Sequence, residues 1–139
     1  MRQMAFSMTT QAILQRTKTV TRRTGWADLT PGTLLRAVEK SMGLKKGEKV
    51  RRLAVLRVTS VDRERLDRLR DADPTVVASE LAAEGVDRCC DTWQDFLSKY
   101  FWPQGCHPDT VVTRIGFEYL DVVYRRGKQV DATTGEVLR

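Results

Sequence analysis

The chain has 139 residues, 41% of them apolar, enough for one packed core and one domain rather than a disordered tail. Its 24 Lys+Arg against 18 Asp+Glu give a net charge of +6, and 17 of the basic residues are Arg, which suits an anionic partner recognised by guanidinium forks. Three cysteines fit no disulfide framework, no apolar run approaches the ~18 residues of a membrane span, and Met1–Met8 shows no secretory signal, so a membrane protein, a secreted mini-protein and a multidomain enzyme are not expected, and a cytoplasmic domain is.

In chain order, Met4–Met8 reads as a first short strand. Thr9 or Thr10 suits the N-cap of a short helix that carries Ala12, Ile13 and Leu14 and ends near Arg16. Lys18-Thr19-Val20-Thr21-Arg22 is β-branched and alternating, hence a strand. Pro31-Gly32 marks a turn before a strand over Thr33–Val38. Gly43 and Gly47 flank a basic loop holding Lys45 and Lys46. Leu53–Val61 begins almost continuously apolar, as a buried strand does. Asp62–Asp73 is dense in charge and has only Leu66 and Leu69 as large apolar residues, so it reads as a solvated turn or short helix. Its Arg63, Arg65, Arg68 and Arg70 alternate with acidic residues.

Pro74 fits the first helical position with Asp73 as N-cap, and this helix carries Val77, Leu81 and Ala82 and stops near Gly85. Trp93, Phe96, Leu97 and Tyr100 follow helical spacing within Thr92–Phe101, a stripe expected to face the core, and Pro103 and Gly105 end that helix. Val111–Leu120 reads as a strand with Val111, Thr113, Ile115, Phe117 and Tyr119 on one face. The tail, residues 121–139, suggests an extension with one hairpin, Val122–Tyr124 and Lys128–Val130, and a turn at Thr134-Gly135. The order of elements predicts an α+β fold, a small and mostly antiparallel sheet or barrel with helices packed on it.

The segment Ile13–Arg23 concentrates basic and hydroxyl residues at a helix-to-strand junction. It reads either as an edge strand protected by charge or as a cradle for phosphate or a nucleotide. Arg22, Arg23, Lys45, Lys46, Arg51, Arg52 and Arg114 are candidate binding residues. Trp26 sits in a Gly-containing loop just after the motif, where an indole either stacks on a base or packs into the core. Cys89, Cys90, Cys106 and His107 lack the spacing of a zinc knuckle, so no metal site and no cofactor are expected.

Four stretches, in this order, carry a resemblance: Ile13-Leu14 with Lys18-Thr19-Val20-Thr21-Arg22-Arg23; Leu29–Leu35 around Pro31-Gly32; Glu84-Gly85-Val86 with Trp93-Gln94-Asp95-Phe96; and Val112–Leu120. Together they resemble the ASCH-domain family of the PUA-like superfamily, and the stretches Lys40–Glu48 and Gly105–Thr110 look most like actinobacterial and actinophage members. The chain departs from the family where Arg16-Thr17 replaces a Gly before the Lys-Thr pair and where Thr33 replaces an Asp after the Pro-Gly turn.

The resemblance implies a PUA-like barrel over residues 1–120 with a cleft for RNA or a modified nucleoside. One branch of the family hydrolyses the amide of N4-acetylcytidine with a Lys, a Thr and a Glu, which correspond to Lys18, Thr21 and Glu84. Such hydrolysis needs a nucleophile, a base and oxyanion stabilisation, and a desolvated Lys can serve as base for a Thr hydroxyl. On a regular strand Lys18 and Thr21 point to opposite faces, so this role requires Lys18 to lie before the strand or a bulge to intervene. A non-catalytic RNA-binding module is the alternative. RNA cleavage, a further family activity, would have only His107 as an imidazole.

Overall fold

A computed structural model describes the whole chain, Met1–Arg139. Five strands form one curled, mixed sheet: β1 (Arg2–Ala5), β2 (Val20–Arg23), β3 (Leu34–Val38), β4 (Arg52–Arg65) and β5 (Val111–Leu120), in the spatial order β1-β3-β4-β5-β2. The β1–β3 pair is parallel and the other three pairs are antiparallel. Three helices complete the layer: α1 (Thr10–Leu14), α2 (Pro74–Ala83) and α3 (Trp93–Tyr100). The architecture is α+β, as the sequence predicts, but the barrel is half-open. β1 and β2 are its free edges, and no backbone ladder joins them.

The curl comes from β4. It is 14 residues long, its Val55–Arg65 part pairs along the whole of β5, and the register shifts between Val58 and Ser60. An extra residue in one strand bends it and increases its twist. The concave side then encloses Met4, Phe6, Ile13, Leu35, Leu56, Ile115 and Phe117. Val112 projects to the opposite face of β5 and joins Leu81, Trp93, Phe96, Leu97 and Phe101 in a second cluster beneath α2 and α3. Both faces of β5 are therefore buried, and one-sided alternation does not describe it. Val111 is exposed because it lies at the far end of the strand, opposite Arg65.

Local signals explain the helices. Asp73 accepts a hydrogen bond from the Thr75 backbone N–H at 2.8 Å and Pro74 opens α2, while Thr92 accepts from the Asp95 N–H at 3.0 Å and opens α3. No helix is long and apolar enough to cross a membrane.

The first strand is Arg2–Ala5 rather than Met4–Met8, because the former stretch pairs with Leu35–Val38, and β2 begins at Val20 rather than Lys18. Two further segments differ from the sequence reading. Asp62–Arg65 continues β4 instead of forming a turn, because its backbone pairs with Val111–Arg114; only Leu66–Leu69 is a short 3₁₀ turn. In the tail, β6 (Val122–Arg125) and β7 (Lys128–Asp131) form a hairpin that reverses at Arg126-Gly127, both at positive φ. The turn at Thr134-Gly135 comes later, where Asp131 accepts from the Thr133 and Thr134 N–H groups and the chain returns to bridge Val130 with Val137. Leu138 packs with Val55 and Leu120.

Candidate functional site

A cavity of about 510 Å³ opens where the edges β1 and β2 fail to pair. Pockets for small molecules have volumes of roughly 300–1,000 Å³. Ala5–Thr9 walls one side, Lys18 and Thr21–Trp26 the other, and Glu84, Phe96 and Tyr100 the floor. Arg23 spans the gap: its Nη2 donates to the Ala5 carbonyl on β1 at 2.6 Å, and its Cζ lies 4.8 Å from the Phe6 ring centre. A side chain thus does at the barrel mouth what a backbone ladder does elsewhere, and the space beside it stays open.

Lys18 precedes the first residue of β2, so it escapes the strict alternation of the strand and lines the same cavity as Thr21. Several contacts hold it there. Tyr119 donates its hydroxyl to the Lys18 carbonyl at 2.6 Å, and the Thr19 N–H donates to the Ala83 carbonyl at 2.8 Å. The close approach needs Gly85, whose φ is +76°; a Cβ there would lie 2.6 Å from the Ala12 Cβ and 3.1 Å from the Lys18 Cβ. Gly85 is also the left-handed residue that ends α2, immediately after Glu84.

Glu84 is the hub of a buried ionic network. Lys18 Nζ donates to the Glu84 carbonyl at 2.6 Å and to its Oε1 at 3.0 Å. Arg22 Nη1 donates to Glu84 Oε2 at 2.8 Å, its Nε to Glu64 at 2.5 Å and its Nη2 to Glu80 at 2.7 Å. Arg114 pairs with Glu80 at 2.9 Å, and Arg68 with Glu64 at 2.6 Å. The Arg22 fork therefore satisfies three carboxylates from β4 and α2, and stacks 4.8 Å from the Trp93 ring centre.

The protonation states follow from this packing. Burial pushes the Lys18 ammonium below its ordinary pKa, against the pull of the Glu84 carboxylate. Burial acts the same way on Arg23, again opposed by Glu84. For Arg22, burial is outweighed by Glu84 and Glu64, so its proton is held more tightly than usual.

Thr21 is buried, and its hydroxyl accepts from Arg23 Nε at 3.2 Å rather than from Lys18. Trp26 is half-buried at the mouth, with φ +67° and with the Arg2 guanidinium 4.2 Å from its ring centre. Lys18, Thr21, Arg22, Arg23, Trp26 and Glu84 thus meet in one cavity. Arg114 stands behind it through Glu80 and does not line it. Lys45 and Lys46 are exposed in the β3–β4 loop, away from the cavity.

The sequence reading missed Glu64, Glu80, Phe96 and Tyr100 as parts of the site. Glu80 had a usable signal, since it lies four residues before Glu84 and hence on the same helix face. Glu64 had none. It lies in the segment read as solvated, yet it is buried because β4 continues through it.

Neither a family model nor a curated protein matches the chain. Solved structures do. The ASCH domain from Lactobacillus crispatus JV V101 superposes with a TM-score of 0.51 at 14% identity, over 85% of this chain and 78% of that one. This chain has the ASCH fold. A protein from Enterococcus faecalis V583, assigned to the family model DUF984, gives a TM-score of 0.50 at 20% identity, over 81% of this chain. The match spans 66% of that longer protein's length. At these identities the likeness is one of fold.

Proposed function

We propose that the cavity of this ASCH fold binds RNA or a modified nucleoside, and that it hydrolyses the amide of an N4-acylated cytidine. The observation that carries the reading is the meeting of Lys18, Thr21 and Glu84, from two separate elements, in one cavity large enough for a nucleoside.

In this reading neutral Lys18 accepts the Thr21 hydroxyl proton, through a water since the two do not bond directly. Thr21 Oγ1 attacks the acyl carbon, and the carbonyl oxygen takes up the negative charge. Arg23, which already donates to Thr21, supplies positive charge beside it. Collapse breaks the C–N4 bond, and the leaving amine takes a proton from Lys18. Water then hydrolyses the acyl-threonine ester by the same proton path. Glu84 orients Lys18 through two acceptors, which match the two N–H bonds of a neutral amine and leave its lone pair free.

A second reading, binding without turnover, draws support from the same network. Lys18, Glu84 and Arg22 satisfy one another, as a purely structural buried network does. Incubation with N4-acetylcytidine and a panel of acylated nucleosides, followed by mass spectrometry, separates the two. Release of cytidine by the native protein and not by Thr21→Ala supports hydrolysis. Tight binding with no released product supports the binding module.

A further inference from the structure

Part of the positive charge nominated from the sequence is neutralised. Arg22 and Arg114 are neutralised by glutamates, and Arg51 pairs with Glu39 at 3.3 Å. Five basic side chains outside the cavity, Arg36, Arg52, Arg125, Arg126 and Lys128, have no acidic partner and lie on or beside the β6–β7 hairpin. Two adjoining hollows of about 350 and 390 Å³ lie there, sharing Arg52, Tyr124 and Gln129 as walls. Arg36 lines the first and Lys128 the second, and Arg125 and Arg126 are exposed at the hairpin tip.

Three further observations point to a ligand. Arg52, Arg125, Arg126 and Lys128 take part in none of the molecule's ion pairs. Arg36 donates through Nη2 to Gln129 at 2.8 Å, but its Nε is buried without any acceptor. An orphaned guanidinium N–H is costly unless something accepts from it. Tyr124 is 66% exposed, and Gln129 donates to its hydroxyl at 3.2 Å, which braces the ring beside the cations. Of the acidic residues in the tail, Asp121 is tied to Arg16 and Asp131 is buried on backbone N–H groups, which leaves Glu136 as the exposed carboxylate without an ion pair.

We infer that the β6–β7 hairpin, with Arg36 and Arg52 from the sheet beside it, is a docking surface for the backbone of single-stranded RNA. Unpaired arginines and lysine take the phosphates, and the Tyr124 ring offers a face for an unstacked base, the combination that holds single strands without reading sequence. The surface shares its partner class with the cleft reading but none of its residues, so it serves to hold the strand while one nucleotide occupies the cleft.

The test is fluorescence anisotropy of a labelled twelve-nucleotide oligouridylate across a salt series, with the full chain. Arg52→Gln combined with Lys128→Gln should weaken binding at least tenfold and lower the slope of log affinity against log salt by about 1.4, at ~0.7 per lost phosphate contact. Tyr124→Ala should weaken binding by about fivefold or more. Lys45→Gln with Lys46→Gln should leave both affinity and slope unchanged. An unaltered slope in the Arg52/Lys128 variant overturns the inference. So does binding to vesicles of anionic lipid as tight as to RNA. All three variants should retain native turnover of free acylated nucleoside. Turnover with no RNA affinity would remove the docking surface and leave the cleft reading standing; RNA affinity with no turnover would do the reverse.

Discussion

Lys18 reaches the C-terminal end of α2 and bonds Glu84 twice, at its backbone carbonyl and at its carboxylate. One contact satisfies a carbonyl left open by the end of the helix, and the other satisfies a buried charge. The amine is thereby fixed in position while burial weakens its hold on the proton. This combination suits the role of base proposed for Lys18.

The pH dependence of turnover should report that base. In the proposed mechanism Lys18 acts in its neutral form, so the rate should rise with pH and level off above the lysine's folded pKa, which lies below the ordinary 10.5. A pH–rate profile on acetylcytidine checks this. Lys18→Arg stays charged throughout and should lose the ascending limb along with nearly all activity, about 10²-fold or more.

Thr21 should be needed for chemistry and not for folding. Thr21→Val preserves shape and removes only a hydroxyl whose sole protein partner is Arg23. We expect turnover to fall by about 10³-fold while the unfolding midpoint moves little. Thr21→Ser should keep part of the activity. Rates on a common acylated nucleoside, paired with denaturant unfolding, distinguish these outcomes.

Arg22 should matter most for stability. Arg22→Met leaves Glu64, Glu80 and Glu84 beside an apolar side chain. Stranding buried charge in this way costs about 3–5 kcal/mol, measurable by chemical unfolding. Arg22→Lys should recover only part, because a point charge cannot serve three carboxylates at once.

Gly85→Ala should damage fold and site together. The positive φ disfavours any side chain by about 1–2 kcal/mol. The new methyl would also press on Ala12 and on Lys18, at 2.6 and 3.1 Å. We expect lower stability by thermal unfolding, and a drop in kcat at a temperature where the variant is still folded.

Acid should weaken the same network through Glu80. Burial resists its ionisation, but Arg114 and Arg22 outweigh that and hold its pKa below the ordinary carboxylate value. The stability it contributes is therefore present above about pH 4.3 and is lost as pH falls through the lowered folded value. Denaturant midpoints followed downwards from neutral pH should show this loss, and Glu80→Gln should flatten that part of the curve.

Elements whose signals are local were legible from sequence. Asp73-Pro74 opens α2, Gly85 ends it, the Trp93–Tyr100 stripe faces the core, and Val111–Leu120 is β5 to the residue. Short-range capping and periodicity determine such features with little help from the rest of the chain. The motif from Lys18 to Arg23, and the turn at Glu84-Gly85, could also be singled out by residue type and order.

Tertiary structure alone decided which charges are free. Arg22 meets glutamates 42, 58 and 62 residues away, and Lys18 meets one 66 residues away. Those encounters depend on the bulge that curls β4 and on the depth to which Glu64 is carried by a strand that runs on past Val61. A sequence counts charges, but whether a guanidinium is spent on a carboxylate or left for a ligand is settled by long-range packing. Part of the positive charge read from composition is neutralised in the network at the cleft, and part stands unpaired, at the β6–β7 hairpin among other places.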